Sequence, residues 1–457
     1  MDYYLKNNIH VCGKTSFRGR YAIRTRGEVS IVQAVVLGVA ALITLAAVVA
    51  FSISGLGDPN ADTIRGEVLM WGITPRDVIE PLLRDALIDT PELRVEYVEI
   101  LPEQFDARLT EALAIGQGPD VFIATHEAAN RHKGKYVPIA YEQYPASSYT
   151  ETFARVTHIF LGADGINALP LYIDPVVLLY NRSILSTAGY PQPAQNWIQM
   201  VAQVPQITIT DGSGNILQSG IALGSPGNIH EMKSVYSALA TQAGERFTTQ
   251  TGDGGLLSLF GEQYNQAIPP AESALRFFAQ FGNVDNMLYS WNSAFTRSDR
   301  AFAAGQVGYL LDHASNIEDI ELRNPQIDIG VIELPLAASS ERATYARVYA
   351  GYIARDTKNY NASVAALYTL LVPDINLSLA ERLGLAPSRS DALSVVINDP
   401  EREVIRRSAT YARSWLDPAP QSTELIISDM IRSVIGGQAS IPEAVSTARG
   451  RFVQVVQ

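Results

Sequence analysis

EYVEILPEQFDARLTEALAIGQGPDVFIATH, residues 96–126, changes its hydrophobic period twice. Apolar residues alternate with polar ones over Leu93–Ile100, as on a strand with one covered face. From Glu103 to Ile115 they recur every three or four residues, as on a helix. Gly116-Gln117-Gly118-Pro119 ends that helix, and Asp120–Ala124 is a short buried strand. Upstream, Ile64–Trp71 is a further strand, and Thr74-Pro75 marks N-cap and N1 of a helix running to about Leu87. A β-α-β-α-β order of this kind predicts a mostly parallel sheet covered by helices.

Downstream the alternation continues. Leu171–Ile173 and Val176–Tyr180 are strands joined through Asp174-Pro175, and Ser183–Gly189 and Asn196–Val204 are helices. The turn Asp211-Gly212-Ser213-Gly214 between two apolar runs signals a hairpin. Helices are expected near 228–241, 271–280 and 292–304, with strands at Val307–Leu311, Ile327–Ile332 and Ala343–Ala354. A helix follows at 358–371, and the tail from 376 is helical, interrupted at Pro387, Pro400 and Asp417-Pro418. The expected fold class is therefore α/β with two lobes.

The 457 residues are 47% hydrophobic and 18% charged, with a formal net charge of -12. That composition excludes a disordered or collagen-like chain, and the acidic balance argues against nucleic acid as a partner. The single Cys12 makes no internal disulfide and no cysteine metal cluster. Charge is unevenly placed: residues 1–28 hold six basic and two acidic side chains, and none is charged from Val29 to Gly57. An apolar run this long meets the roughly 20 residues a membrane-spanning helix requires. The basic flank orients it with the N-terminus in the cytoplasm. We expect residues 1–28 as a basic cytoplasmic tail, 29–54 as a transmembrane helix and 55–63 as a linker, a single-pass cell-membrane protein with its main domain outside. A cleaved signal peptide is the alternative, although its apolar part is usually about 7–15 residues. Either reading exports the rest.

No catalytic signature is present: no phosphate loop, no HExxH and no GxSxG occurs. His126 and His132 stand six apart, a poor spacing for metal. A glycosidase needs two carboxylates facing one bond. Asp120, Asp174 and Asp312 each adjoin an apolar strand, yet spacing brings no two of them together, so they read as caps, hinge acceptors or ligand contacts. The chain is read as a non-enzyme without metal or cofactor. Trp71, Tyr172, Trp291, Tyr309 and Tyr349 lie at strand ends or connections, where flat rings suit the C–H faces of a sugar or an organic ring. They serve equally as core aromatics.

Several motifs together resemble the bacterial extracellular solute-binding proteins of ABC importers, in their large sugar-binding group. They are the segment 96–126 with its Pro-Asp-Val turn, PLYIDPVVLLYNRSIL (170–185), Asn196-Trp197, AFAAGQVGYLLDH (301–313) and YAGYIARDTKNYNASVAALYTLLV (349–372). The likeness spans about 64–457. It implies a periplasmic-binding-protein-like fold (type II) whose lobes close on a solute, an N-terminal lobe of 62–170 plus 343–374 and a C-terminal lobe of 175–330 plus 375–457. By position it implies ligand contacts from Trp71, Gly72, Thr125, His126, Asp174, Trp291, His313, Tyr349 and Gly351. The implied function is capture of a small solute, a sugar or oligosaccharide, for delivery to ABC permease subunits. The rival is an anchored structural or signalling module of the same fold without transport.

Overall fold

A computed structural model describes residues 65–264, 266–336 and 342–456. Strands β1 (Gly66–Gly72), β2 (Leu93–Glu99) and β3 (Val121–Thr125) are parallel, with β1 in the middle and Met70 opposite both Tyr97 and Val121. Helices α1 (Arg76–Ala86) and α2 (Pro102–Ala114) connect them. Each buries one face, Ile79, Leu82 and Leu83 on α1 and Phe105, Leu109 and Ala112 on α2. Such a side chain contributes about 1.5–3 kcal/mol when fully buried. Thr74 is not the cap of α1. Its hydroxyl is fully buried against the Tyr172 hydroxyl at 2.9 Å, while the Arg76 N–H is satisfied by the Glu99 carboxylate at 2.8 Å.

The central element is β4 (Leu169–Asn181), one continuous strand where the sequence suggested two. Pro175 interrupts neither pleat nor direction because the strand changes partners beside it. Leu169–Pro175 pairs with the strand at 344–354, and Val176–Tyr180 with the strand at 307–313. A proline, which cannot donate to a ladder, is tolerated at such a discontinuity. The strand is buried almost throughout, which accounts for its unbroken apolar run. Asn181 ends it by capping the next helix, its side chain accepting the Ile184 N–H at 3.0 Å.

Beyond β4, β5 (Ile216–Ile221) and β6 (Val307–His313) are parallel neighbours, and β7 (Ile329–Ile332) pairs with the far end of β4. The long β8 (Thr344–Ala354) lies antiparallel between β3 and β4. The order is β2-β1-β3-β8-β4-β6-β5. Helix α3 (Met232–Gln242) begins later than its apolar pattern suggests, because Glu231 before it is left-handed, at φ 51°. The helix expected at 292–304 is confined to Ser298–Ala303. Asn292 folds the preceding chain into a turn, its Oδ1 accepting the Ala294 N–H at 2.9 Å.

The chain passes between the lobes three times, side by side. Two passages are β4 at Asp174-Pro175 and the start of β8. The third is Ala412–Arg413, parallel to Thr344-Tyr345. Helices α4 (Tyr360–Leu370) and α5 (Pro373–Arg382) pack on each other and on α1, and Ala386-Pro387 pairs with β4. Residues 373–387 thus sit with the N-terminal elements. Helices α6 (Pro420–Ile435) and α7 (Ile441–Val456) pack on each other in the other lobe, α6 also on α3.

The N-terminal transmembrane helix and the single-pass cell-membrane placement expected from sequence are not upheld. Among the described residues no single helix is long and apolar enough to cross a membrane. The only candidate there is the pair α4 and α5, bent by 68° at its break, and it is internal and packed on α1. The segment 29–54 lies outside the described residues. Among the described residues the fold is the two-lobed α/β fold.

Candidate functional site

Strand ends from both lobes meet where the three passages lie, and charged side chains concentrate there. Glu127 follows β3. Arg347 stands on β8, opposite Asp174 of β4. From the other lobe come His230, Glu231 and Lys233 at the start of α3, Asp312 and His313 at the end of β6, and Asp417 after the third passage. Arg347 Nη2 lies 2.7 Å from Glu231, and its Nε 3.8 Å from Glu127. Lys233 Nζ lies 2.8 Å from Asp417 and 3.7 Å from Glu127. The result is a ladder of alternating sign, Asp417–Lys233–Glu127–Arg347–Glu231, that spans both lobes.

Burial of the Glu127 carboxyl works to neutralise it, but Lys233 and Arg347 outweigh burial and hold it far below the usual carboxylate range. Burial likewise opposes the charge on Lys233, and Glu127 and Asp417 overcome it, raising the ammonium. Both are therefore ionised. Glu231 remains the most open member, with 32% of its side chain exposed. It is also the sole non-glycine residue at positive φ among those described, and strain of this kind gathers at binding sites.

Around the ladder lies a hydrogen-bonded shell. The Asp174 carboxylate accepts the Ser315 N–H at 3.0 Å and its hydroxyl at 2.7 Å, and the Asp174 carbonyl accepts His313 Nδ1–H at 3.0 Å. Burial alone would lower the His313 imidazole, but Asp174 raises it. His313 Nε2 is buried without a partner. His230 Nδ1 lies 2.9 Å from Asp312, which raises that imidazole against burial. Tyr172 and Tyr349 stack at 4.5 Å and 20°, beside Arg347.

Of the residues implied by resemblance, the fold gathers His126, Asp174, His313 and Tyr349 at this junction, and Thr125 borders it in register with Tyr349. His126 is fully buried. The remaining four stand in their own packed surroundings. Trp71 is half-buried on β1 with the Arg108 guanidinium 5.8 Å over its ring. Gly72 has Tyr97 and Ile123 where a Cβ would stand, and the corresponding space at Gly351 is filled by Leu367. Trp291 is wholly buried, stacked on Phe295 at 4.5 Å with its Nε1–H donated to Asn228 at 2.9 Å. Asp120 is tied into the sheet, accepting the Leu69 N–H at 3.0 Å.

Sequence reasoning missed Glu127, Glu231, Lys233, Arg347 and Asp417. Arg347 carried a signal, being the one charge within the apolar strand 344–354. Glu127 carried a weaker one, following a buried strand end.

Residues 89–404 match the family described as bacterial extracellular solute-binding protein. The chain belongs to that family. A maltotriose-binding protein of Pyrococcus abyssi (strain GE5 / Orsay) is 24% identical over 353 residues, covering 75% of this chain and 70% of that protein. Among solved structures, the cyclic alpha-maltosyl-1,6-maltose binding protein of Arthrobacter globiformis superposes with a TM-score of 0.72 at 16% identity, over 86% of this chain and 99% of its own. The sugar-binding protein MalE of Xanthomonas citri does so with a TM-score of 0.68 at 17% identity, over 86% and 97%. At these identities the structures establish the fold. Solute-binding proteins of this family bind and release without covalent chemistry, which accords with the reading as a non-enzyme.

Proposed function

We propose that this extracellular solute-binding protein captures a sugar or oligosaccharide between its lobes and passes it to an ABC permease. The observation that carries the reading is the convergence of charged and hydrogen-bonding groups from both lobes on one junction, beside the stacked Tyr172 and Tyr349. Saccharides present hydroxyls that donate and accept, and paired ions hold acceptor and donor groups ready for them without leaving an isolated charge to desolvate. The relative that binds maltotriose supports the choice of solute.

Mechanistically, a ligand touching both lobes favours the arrangement in which they approach, and so shifts an existing equilibrium. The three adjacent passages are short and extended, so small backbone rotations there move whole lobes. Glu127 and Arg347 belong to one lobe, Lys233 and Glu231 to the other. Their pairing distances therefore report the degree of closure.

A thermal-shift screen of the purified protein against mono-, di- and oligosaccharides, amino acids and polyols tests the reading. A solute bound only by the folded state raises the melting midpoint by mass action. A saturable rise with one saccharide class supports the proposal, and a flat response to every saccharide overturns it.

A further inference from the structure

Three consecutive residues fix the end of β6 to the passage at Asp174-Pro175. His313 Nδ1–H donates to the Asp174 carbonyl at 3.0 Å and the Ala314 N–H to the Pro175 carbonyl at 3.0 Å. The Ser315 N–H and hydroxyl both donate to the Asp174 carboxylate. A carbonyl only accepts, so Nδ1 keeps its hydrogen in either charge state, and Nε2 is the atom that gains or loses the proton. Nε2 is buried without a hydrogen-bond partner. The residue is 1% exposed, so its ring has almost no water left to lose.

The charges around that ring are unbalanced. Facing it are Asp174 from β4, Arg347 and Tyr345 from β8, Glu231 ahead of α3, Asp312 on β6 itself, and His126 and Glu127 after β3. Among the described residues the junction holds five carboxyls, Glu127, Asp174, Glu231, Asp312 and Asp417, against two permanent cations, Arg347 and Lys233. Of groups that titrate near neutrality, only imidazoles can make up the difference. His126 cannot, because its Nδ1 accepts the Val348 N–H at 3.1 Å and burial pushes it down to about 4. His230 lies on Asp312 at 2.9 Å with 21% of its side chain exposed, where water already screens its charge. His313 remains. Burial opposes a charge there, yet Asp174 outweighs it and raises the imidazole above its ordinary value.

We infer that solute capture by this protein is linked to uptake of a proton from solvent, which bonds to the Nε2 lone pair of His313; the inference rests on the saccharide reading above. A saccharide filling the junction displaces water, and the charges there then act through a lower dielectric. For a group still facing water, lost hydration would offset the stronger attraction. His313 has already lost that hydration, so closure adds the pull of the carboxylates at little further cost. The ring therefore holds its proton more tightly in the complex, and by reciprocity the proton tightens the complex. A saccharide brings no charge of its own, so the balancing ion is this proton.

The test is calorimetric titration of maltotriose into the wild-type protein, in phosphate and in Tris at one slightly alkaline pH, with NMR of the histidine rings. The two buffers should give different binding enthalpies, in the direction of proton uptake. Affinity should fall as pH rises above about 6.5, by no more than about tenfold per pH unit for one proton. His313→Asn keeps a donor for the Asp174 carbonyl and removes Nε2, and should make both measurements independent of buffer and pH in this range. His230→Asn should leave the uptake in place. In wild type, adding maltotriose should move the His313 titration to higher pH with Nδ1–H retained. Buffer-independent enthalpy, proton release, uptake that persists in His313→Asn, or a His313 midpoint unmoved by maltotriose would overturn the inference while leaving sugar binding intact. Wild-type protein that binds no saccharide at any pH ends the sugar-binding reading and the proton linkage with it.

Discussion

Trp291 shows how one residue's role turns on which way it faces. On sequence it suits a stacking platform, since it follows a polar connection, yet it is fully buried over Phe295. Trp291→Ala should therefore act through packing, with a loss of about 3–5 kcal/mol measured by denaturant unfolding. A sugar affinity that falls with stability unchanged would place the indole in the cleft instead. His126 teaches the same lesson from the other side. It stands at a strand end, where contacts are expected, but its ring turns inward to Val348 and Tyr345. Its imidazole is lowered by burial to about 4, below the ordinary value near 6.5. The unfolded chain therefore binds the proton first, so this residue makes stability fall as pH drops from about 6.5 towards 4. Melting midpoints across that range should show a steeper acid slope in wild type than in His126→Gln. The raised His230 and His313 act oppositely, contributing below the unfolded value and fading as pH rises through the folded one.

At the scale of elements, α3 brings Lys233 to two carboxylates from different segments, Glu127 and Asp417. Lys233→Met would leave Asp417 buried without its cation and Glu127 with Arg347 alone, and should cost about 3–5 kcal/mol in chemical denaturation. The exposed pair Arg432–Asp429 on α6 should contribute under about 1 kcal/mol to the same measurement when Arg432 is replaced by Ala. A similar size for both effects would mean that the ladder is open to water. Most strands and helices were legible because burial imposes a period on the residues that line it, as in β1 to β3 and α1 to α2. The ladder was less so. Glu231 occupies a left-handed conformation that a glutamate does not announce in sequence. The third passage is only two paired residues, Ala412–Arg413, inside a helical tail. A two-residue strand has no period to read, and for the same reason the packing of α5 on α1 and α4 does not emerge from the sequence. At Pro175 the misleading cue was local chemistry: a proline that ends most strands here marks a change of partner within one.

For the whole molecule, the arrangement of lobes gives the site its meaning. Neither lobe alone holds the ladder, and the sheet runs through both by way of β4. Under the proposed function ligand and ladder share the junction, so binding should protect both lobes together. Hydrogen exchange followed by mass spectrometry, with and without saturating maltotriose, measures this directly. The expected result is slowed exchange at 125–131, 230–235, 312–317 and 344–349, from both sides of the junction, with the outer helices α6 and α7 little changed. Exchange unaltered at the junction, or slowed only on an outer surface, would contradict the account.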